Sequence, residues 1–391
     1  MNVKLSFRIA LLCLAVTATF APMIAAPAVK LLMVDFPDTS ALLIQWVVTL
    51  SSLFILPTLF IAGYLSKKFS RKHILLVGLI LYIIGGIGPS FMNSISWILV
   101  FRAILGLSIG LISPTFNAMI AENFQGRERY RMNGFVASVN GIGGALFLTI
   151  GGVIASYGWR SVFLSYSYAI ILLILVALFI PKIPPAQTNE QNGIQPRAKI
   201  PLMFYTIALL SGLHVMLYFI IPTSLSLYLG ENGIGTASTV GYLSALSLIG
   251  VFGAGLSITA ITRLFQKALV PFALLVIGLG FLLLSLAQSM WMLTIAVILI
   301  GFAEGMFFPI SFNKTAELVP KQRMTTAISL LLGCNYVVQF ICPLFMKGIQ
   351  ALFHFSSYRE TFMLLAMAIG VSMIASLLLM RKVNEQSVLN N

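Results

Sequence analysis

The sequence contains little charge and little cysteine. Only 9% of its 391 residues are charged, against about a quarter in an ordinary soluble domain. Apolar residues make up 59%, which excludes a water-soluble globule and a disordered chain. Cys13, Cys334 and Cys342 lie inside apolar runs, without the spacing of a disulfide framework or a zinc site. These absences leave an integral membrane protein, and we expect no metal and no other cofactor.

The apolar runs are long enough to cross a membrane, which takes about 20 residues each. We therefore predict an all-α membrane protein with twelve transmembrane helices. One break between runs is long and polar, and it contains Pro184-Pro185, as is typical of a flexible linker. We predict an N-terminal six-helix bundle over 1–181, a linker over 182–200 and a C-terminal six-helix bundle over 201–391. The runs lie near 7–29, 40–63, 73–92, 95–120, 132–156, 160–181, 201–229, 237–261, 268–288, 290–317, 324–349 and 358–380.

The two halves of the sequence resemble each other. When the sequence is displaced by half its length, glycines, prolines and polar residues of the first half coincide with identical residues of the second. Glycine and proline affect the backbone and polar residues form hydrogen bonds, so chance is a poor explanation for the coincidence. We therefore interpret the chain as a tandem repeat. Secondary transporters use this arrangement to place a binding site between two halves. The coinciding pairs are Pro27 and Pro222, Gly85 and Gly280, Gly106 and Gly301, Gly110 and Gly305, Pro114 and Pro309, Glu122 and Glu317, and Asn140 and Asn335.

Basic residues outnumber acidic ones, 24 to 10, an excess that in a soluble protein would suggest nucleic-acid binding. Here the cations fall in short clusters between apolar runs, where they set topology, so we expect no nucleic-acid partner. Cytoplasmic loops of membrane proteins are enriched in Lys and Arg. With both termini on one side, that side collects nineteen of the 24 cations, and we predict that it is cytoplasmic.

The loop between the second and third runs carries a recognisable motif. Residues 63–72 read GYLSKKFSRK. They resemble the signature loop of the major facilitator superfamily, whose pattern is glycine, any, leucine, small, aspartate, basic, any, glycine, basic, basic. Lys67 stands at the aspartate position, so the ionic latch that the family builds there does not carry over. The resemblance predicts a gating loop of Gly63, Lys68, Arg71 and Lys72; the alternative is that these cations only anchor the loop to lipid phosphates.

Two further segments resemble the same superfamily. Arg102, followed by Gly106 and Gly110, is similar to its second motif, whose arginine contributes to the coupling pathway. We therefore predict a proton-coupling role for Arg102, the alternative being a side chain that extends to the outer interface. The glycines of residues 134–152 are similar to the motif of superfamily antiporters, although Phe147-Leu148 replaces the central Gly-Pro pair.

Glu304 lies in the middle of an apolar run. A buried carboxylate at this depth is costly, by about 2.5 to 10 kcal/mol depending on the reference state, so it must face water, meet a cation or hold a proton. Its repeat counterpart is Ile109, so the fold does not require an acid here. We predict that Glu304 carries a proton or neutralises a cationic substrate; the alternative is a protonated acid in helix packing. His214 is the second candidate, because histidine titrates near neutrality.

Other polar and aromatic side chains within the runs are candidates for binding a substrate. For each of them the alternative is a hydrogen bond between helices. The predicted substrate-binding residues are Asn117, Asn140, Asn335, Gln339, Tyr218 and Phe308.

The sequence contains no nucleotide-binding loop, metal-ligand cluster or catalytic triad, so we expect no enzyme. The resemblance implies a monomeric secondary transporter of the bacterial plasma membrane that moves a small molecule by alternating access. We predict proton-coupled efflux of small lipophilic, often cationic compounds. One alternative is a proton-coupled transporter of an organic anion, with Lys30 and Arg102 as charge partners. Another is a non-transporting membrane sensor, which would need an additional soluble domain or a long tail.

Overall fold

The computed structural model describes residues 5–21, 23–182, 200–265, 268–320 and 323–389, and in these the chain is helical apart from turns and 3-10 segments. The predicted linker lies almost entirely outside the described residues. The N-terminal half contains α1 (Leu5–Phe20), α2 (Val29–Asp35), α3 (Ala41–Lys68), α4 (Arg71–Ile87), α5 (Ile95–Asn123), α6 (Gly126–Ala155), α7 (Trp159–Leu164) and α8 (Tyr168–Phe179). The C-terminal half contains α9 (Leu202–Glu231), α10 (Ala237–Phe265), α11 (Leu269–Leu286), α12 (Met290–Leu318), α13 (Met324–Leu352) and α14 (Tyr358–Leu389).

The all-helical prediction is confirmed, and ten helical stretches of the described chain are long and apolar enough to cross a membrane. In lipid every backbone polar group must be bonded internally, which favours helices. The two remaining expected spans are α1, with 16 residues, and α6, whose apolar part is Gly143–Ala155. The ten stretches are Ala41–Ser66, Arg71–Phe91, Ile95–Asn123, Trp159–Phe179, Leu202–Glu231, Ala237–Ile258, Leu269–Leu286, Met290–Leu318, Thr326–Leu352 and Tyr358–Leu378.

The first run is not the single continuous helix that its apolar composition predicts. Helix α1 ends at Phe20, a 3-10 segment covers Met23–Ala28, and α2 continues to Asp35. Pro27 lies inside the 3-10 segment, and a proline has no N–H to donate to the preceding turn. Its repeat counterpart Pro222 lies inside the continuous helix α9, so the proline alone does not account for the break, and a hydropathy pattern does not reveal it.

Serines define the start of two spans. Ser40 precedes α3 and its hydroxyl accepts the backbone N–H of Leu43 at 3.5 Å, while Ser70 precedes α4 and accepts the N–H of His73 at 3.4 Å. Both serines have extended backbone angles, as N-cap residues do. The two serines therefore cap the first turns of α3 and α4 and fix where these helices begin.

The buried apolar side chains form two main clusters, which correspond to the two halves of the chain. One is built by residues of the N-terminal half, and the other by the C-terminal half together with Leu148 of α6. The helix pairs repeat as well. Gly106 of α5 packs on the Ser51 carbonyl of α3, and its counterpart Gly301 of α12 packs on the Ser247 carbonyl of α10. The duplication of the sequence is therefore a duplication of packing.

The halves are joined by hydrogen bonds at one end of the bundle. We call the side where α1 begins and α14 ends the terminal face, and the other side the opposite face. The described hydrogen bonds between the halves lie between mid-membrane and the opposite face. Trp46 and Phe340 also stack across this interface, with ring centroids 5.3 Å apart. The opposite face is therefore the closed side. The bonds connect Lys30 with Ser226, Gln45 with Thr223, Ser224 and Tyr358, Ser52 with Gln339, and Gly152 with Ser238.

Candidate substrate and proton-coupling site

Glu304 and His214 meet in the middle of the C-terminal half. Glu304 lies halfway along α12 and His214 near the middle of α9, and Oε2 of the glutamate is 3.1 Å from Nε2 of the histidine. The histidine side chain is 4% exposed and the glutamate side chain 13%. Neither of these two atoms has another polar partner among the described residues. The two predicted proton-coupling residues of this half thus form one pair.

Aromatic and hydroxyl groups surround the pair. The imidazole of His214 stacks on Phe307, with ring centroids 3.9 Å apart. One turn further along α9, the hydroxyl of Tyr218 lies 3.4 Å from that of Ser247 on α10. The surroundings of the pair are thus mainly aromatic with a few hydroxyls, a composition that small-molecule sites also have.

Asn335 also belongs to this neighbourhood. Its side-chain oxygen accepts a hydrogen bond of 3.3 Å from the hydroxyl of Ser211, which precedes His214 by about one helical turn on α9. Asn335 is buried, so this bond contributes to the packing of α13 against α9. The interhelical hydrogen bond weighed as an alternative for this residue is present, and its role in binding stays a prediction.

Gln339 lies at the interface between the halves, and Asn140 lies on a helix that packs against α10 of the other half. The hydroxyl of Ser52 on α3 donates to the side-chain oxygen of Gln339 on α13 at 2.8 Å, so Gln339 connects the two halves. Asn140 lies halfway along α6, and its buried Oδ1 has no hydrogen-bond partner among the described residues. An unmet acceptor at this depth is costly, and a donor on a substrate would satisfy it.

Arg102 lies elsewhere, inside the N-terminal half. Its guanidinium is fully buried and donates to the carbonyl of Ala21 at 3.0 Å and to the hydroxyl of Tyr166 at 2.8 Å. It also lies over the ring of Phe163, 6.0 Å from its centroid. The alternative that Arg102 extends to the outer interface is therefore wrong. Its contacts hold the carbonyl at the end of α1, where the first span breaks, and its coupling role stays a prediction.

The segment predicted to be a gating loop lies at the terminal face and is mostly helical. Gly63 and Lys68 belong to the last turns of α3, and Arg71 and Lys72 begin α4. Arg71 forms an ion pair of 2.6 Å with Glu122 at the end of α5, and Lys72 donates to the carbonyl of Ala177 at 2.7 Å. The ammonium of Lys68 lies 4.8 Å from the ring centroid of Tyr64. Gly63 has open space where a Cβ would be. These contacts stay within the N-terminal half, so Arg71 and Glu122 tie α4 to α5.

Two predicted substrate residues lie apart from the Glu304–His214 pair. Asn117 is exposed and donates to the carbonyl of Ser113 on its own helix at 2.9 Å. Phe308 is 47% exposed and packs on Phe312 one turn along α12, with ring centroids 4.6 Å apart. Their participation in binding stays a prediction.

Sequence reasoning did not select two residues near the pair, Ser211 and Ser247. Serines are common in transmembrane helices, where small residues favour close packing, so neither serine stands out alone. The position of Ser211, one turn from His214 on the same apolar helix, is the signal that could have identified it.

The fold and this site define a polytopic helical protein made of two similar halves, with a buried acid–base pair. The sequence model of the Major Facilitator Superfamily matches residues 11–275 and 207–391. The chain therefore belongs to the Major Facilitator Superfamily. It is a secondary active membrane transporter and not an enzyme, as the motifs predicted.

Its similar proteins are distant and varied. The uncharacterized MFS-type transporter YceJ of Bacillus subtilis (strain 168) is 24% identical over 282 residues, which cover 68% of this chain and 70% of that protein. The arabinose-proton symporter of Escherichia coli (strain K12) is 29% identical over 31% of this chain, but the match spans only 26% of the symporter. The multidrug transporter protein MdtP of Bacillus subtilis (strain 168) is 25% identical over 54% of this chain and 36% of its own length.

Solved structures match over nearly the whole chain. The D-xylose-proton symporter aligns with a TM-score of 0.72 at 17% identity, covering 94% of this chain and 97% of the symporter. The xylose transporter XylE from E. coli in an inward open conformation aligns with a TM-score of 0.74 at 16% identity, covering 95% of each chain. At such identities the likeness shows the fold alone, and the superfamily fold predicted from the motifs is confirmed.

Proposed function

We propose that this transporter exports small lipophilic, often cationic compounds in exchange for protons, with Glu304 and His214 as the coupling pair. The observation that carries the proposal is the 3.1 Å approach of the carboxylate to the imidazole in the middle of two transmembrane helices. The aromatic rings of Phe307 and Tyr218 next to the pair suit an apolar or aromatic solute.

The electrostatics of such a pair favour exchange. With a proton on the imidazole, the pair is a neutral ion pair. When that proton leaves, one negative charge remains in a low-dielectric site, which is unfavourable. A cationic solute beside Glu304 restores neutrality, and a returning proton displaces it. Proton and cation therefore compete to balance the charge of one carboxylate, which is the requirement for antiport.

The alternative of an organic anion has weaker support. Arg102, one of its two proposed charge partners, is enclosed by Ala21, Tyr166 and Phe163. Sugar-proton symporters among the similar proteins support proton coupling more than they support any one substrate.

For the transport cycle we propose that bundles 1–181 and 201–391, joined by residues 182–200, rock against each other. The opposite face, closed here, then opens to release the substrate. The charge asymmetry supports a bacterial plasma-membrane protein whose terminal face is cytoplasmic. In this scheme the predicted gating residues control movement of the helices at the cytoplasmic side; they are Gly63, Lys68, Arg71 and Lys72. The solute is contacted by Asn140, Asn335 and Gln339.

The test is transport of ethidium, a lipophilic cation, by purified protein in vesicles with an imposed pH gradient. Glu304→Gln keeps the shape of the side chain but removes its charge, so we expect accumulation driven by the gradient to be lost. A driving force of about 100 mV per charge sustains roughly a fifty-fold gradient, which sets the scale of the loss. His214→Gln should alter the pH profile in the same experiment.

The matched control is Glu317→Gln, because this exposed carboxylate lies further along the same helix and pairs with Lys314 of that helix. We expect Glu317→Gln to accumulate ethidium normally. If Glu304→Gln transports ethidium with the rate and pH profile of the unmodified protein, the coupling role of Glu304 is refuted. If a carboxylated dye of similar size is accumulated in place of ethidium, the substrate class is wrong.

A further inference from the structure

A pocket opens at the opposite face, away from Glu304 and His214. It has a volume of about 470 Å³, within the range of small-molecule sites. Both halves contribute to it. Lys30 comes from α2, Glu231 from the end of α9, Gln350 from α13, and Phe355 and Tyr358 from the turn before α14 and its first residue.

The side chain of Lys30 packs along α9. A Cβ on Gly230 would lie 2.9 Å from Cε and 3.2 Å from Nζ of Lys30, so the lysine side chain lies along α9 because residue 230 has no side chain. The backbone N–H of Lys30 donates to the hydroxyl of Ser226 at 3.2 Å, which fixes α2 on α9. No carboxylate of the described residues is within 4 Å of this ammonium.

The same pocket contains one acid. Oε2 of Glu231 accepts the backbone N–H of Tyr358 at 3.1 Å, at the start of α14. No cation of the described residues lies within 4 Å of Glu231. The pocket thus presents a cation and an anion that are not paired with each other, beside the Phe355 ring and the Gln350 amide.

We propose that this pocket is a binding site for a small zwitterion whose carboxylate meets Lys30 and whose ammonium meets Glu231. A simple anion would meet the carboxylate of Glu231 as well, and a simple cation would meet Lys30, whereas a zwitterion has complementary charges for both. Because both halves line the pocket, an occupant stabilises the closed opposite face. The site is independent of proton coupling at Glu304.

The test uses the purified full-length protein and three probes of similar shape. In mildly acidic buffer L-phenylalanine is a zwitterion, its methyl ester is a cation and its N-acetyl derivative is an anion. A ligand that binds the folded form raises the melting temperature with a dependence on its concentration. We expect saturable stabilisation by L-phenylalanine and at least tenfold weaker effects of the other two probes, because each lacks one charge-assisted contact.

Variants assign the effect to this pocket. Lys30→Gln should lower the affinity for L-phenylalanine at least tenfold. Lys347→Gln, which changes an exposed lysine on α13, should leave this affinity unchanged. Gly230→Ala keeps every charge but displaces the side chain of Lys30, so it should lower the affinity for L-phenylalanine. This variant tests the site even if Lys30→Gln folds poorly. Glu304→Gln should leave the affinity for L-phenylalanine unchanged.

Three results would overturn the proposal. They are no stabilisation by L-phenylalanine, equal stabilisation by all three probes, and an effect that disappears in Glu304→Gln but persists in Lys30→Gln. Failure of Glu304→Gln to change ethidium transport would refute the proposed coupling role and leave this site unaffected.

Discussion

The contact between Gly152 and Gly241 makes a sharp prediction about alternating access. Gly152 lies in the last turn of α6 and Gly241 in the first turns of α10, so the two residues join the halves near the opposite face. A Cβ on Gly241 would lie 2.5 Å from the Cα of Gly152 and 2.6 Å from the carbonyl oxygen of Leu148. Both are backbone atoms that cannot rotate away. Gly241→Ala therefore forces α6 and α10 apart.

The size of the effect follows from these distances. Ordinary contact begins near 3.4 Å, so the gap at Gly152 must widen from 2.5 Å to at least that value. Overpacking of this kind costs about 1–3 kcal/mol, and here it destabilises only the conformation in which the opposite face is closed. We expect the ratio of closed to open molecules to fall by roughly 5- to 150-fold.

The assay is a distance measurement between spin labels at Tyr157 and Leu352, which are 80% and 74% exposed and lie at the opposite face on different halves. The three native cysteines are first replaced by serine. Gly241→Ala should increase the population with the longer distance. The control is Gly255→Ala on the same helix, where a Cβ meets nothing within 4 Å.

Gly255→Ala should leave the distance distribution unchanged and stabilise the helix slightly, because alanine is the better helix former. If Gly241→Ala shows the same distribution as Gly255→Ala, the close approach of α6 and α10 does not control closure and the reasoning fails.

Two further predictions concern buried polar groups. Gln45→Leu removes an amide that donates to the carbonyl of Thr223 at 3.3 Å across the interface. The closed conformation should lose about 1.4 kcal/mol, so the ratio of open to closed molecules should rise about tenfold. An unchanged distance distribution between the spin labels would argue against this. Arg102→Gln loses charged hydrogen bonds to Ala21 and Tyr166. Thermal unfolding in detergent should therefore show a decrease of about 3 kcal/mol in the free energy of unfolding. An unchanged melting temperature would show that the break in the first span does not depend on these bonds.

Much of the fold can be predicted from apolar run lengths and the internal repeat. Lipid requires internally bonded helices, so run length translates directly into spans. The serines at the starts of α3 and α4 mark real helix ends. The break in the first span was missed because residues on both sides of Pro27 are equally apolar, and its counterpart Pro222 lies inside a continuous helix, so neither hydropathy nor the proline indicates a break.

The candidate site could be predicted only in part. Glu304 stands out because an acid in an apolar run is costly wherever the helix faces. That His214 is its partner depends on the rotation of α9 relative to α12. Ser247 and Phe307 resemble the many serines and aromatics of other spans, so only packing distinguishes them.

By itself, the sequence determined that this chain lies in lipid as a duplicated helical transporter, because transfer energies and repeat positions accumulate residue by residue along the chain. Only the tertiary structure decided that Glu304 meets His214, that Gly152 meets Gly241 and that Lys30 shares a pocket with Glu231. Each of these contacts joins helices far apart in the chain, and their relative rotation and depth arise from the packing of the whole bundle.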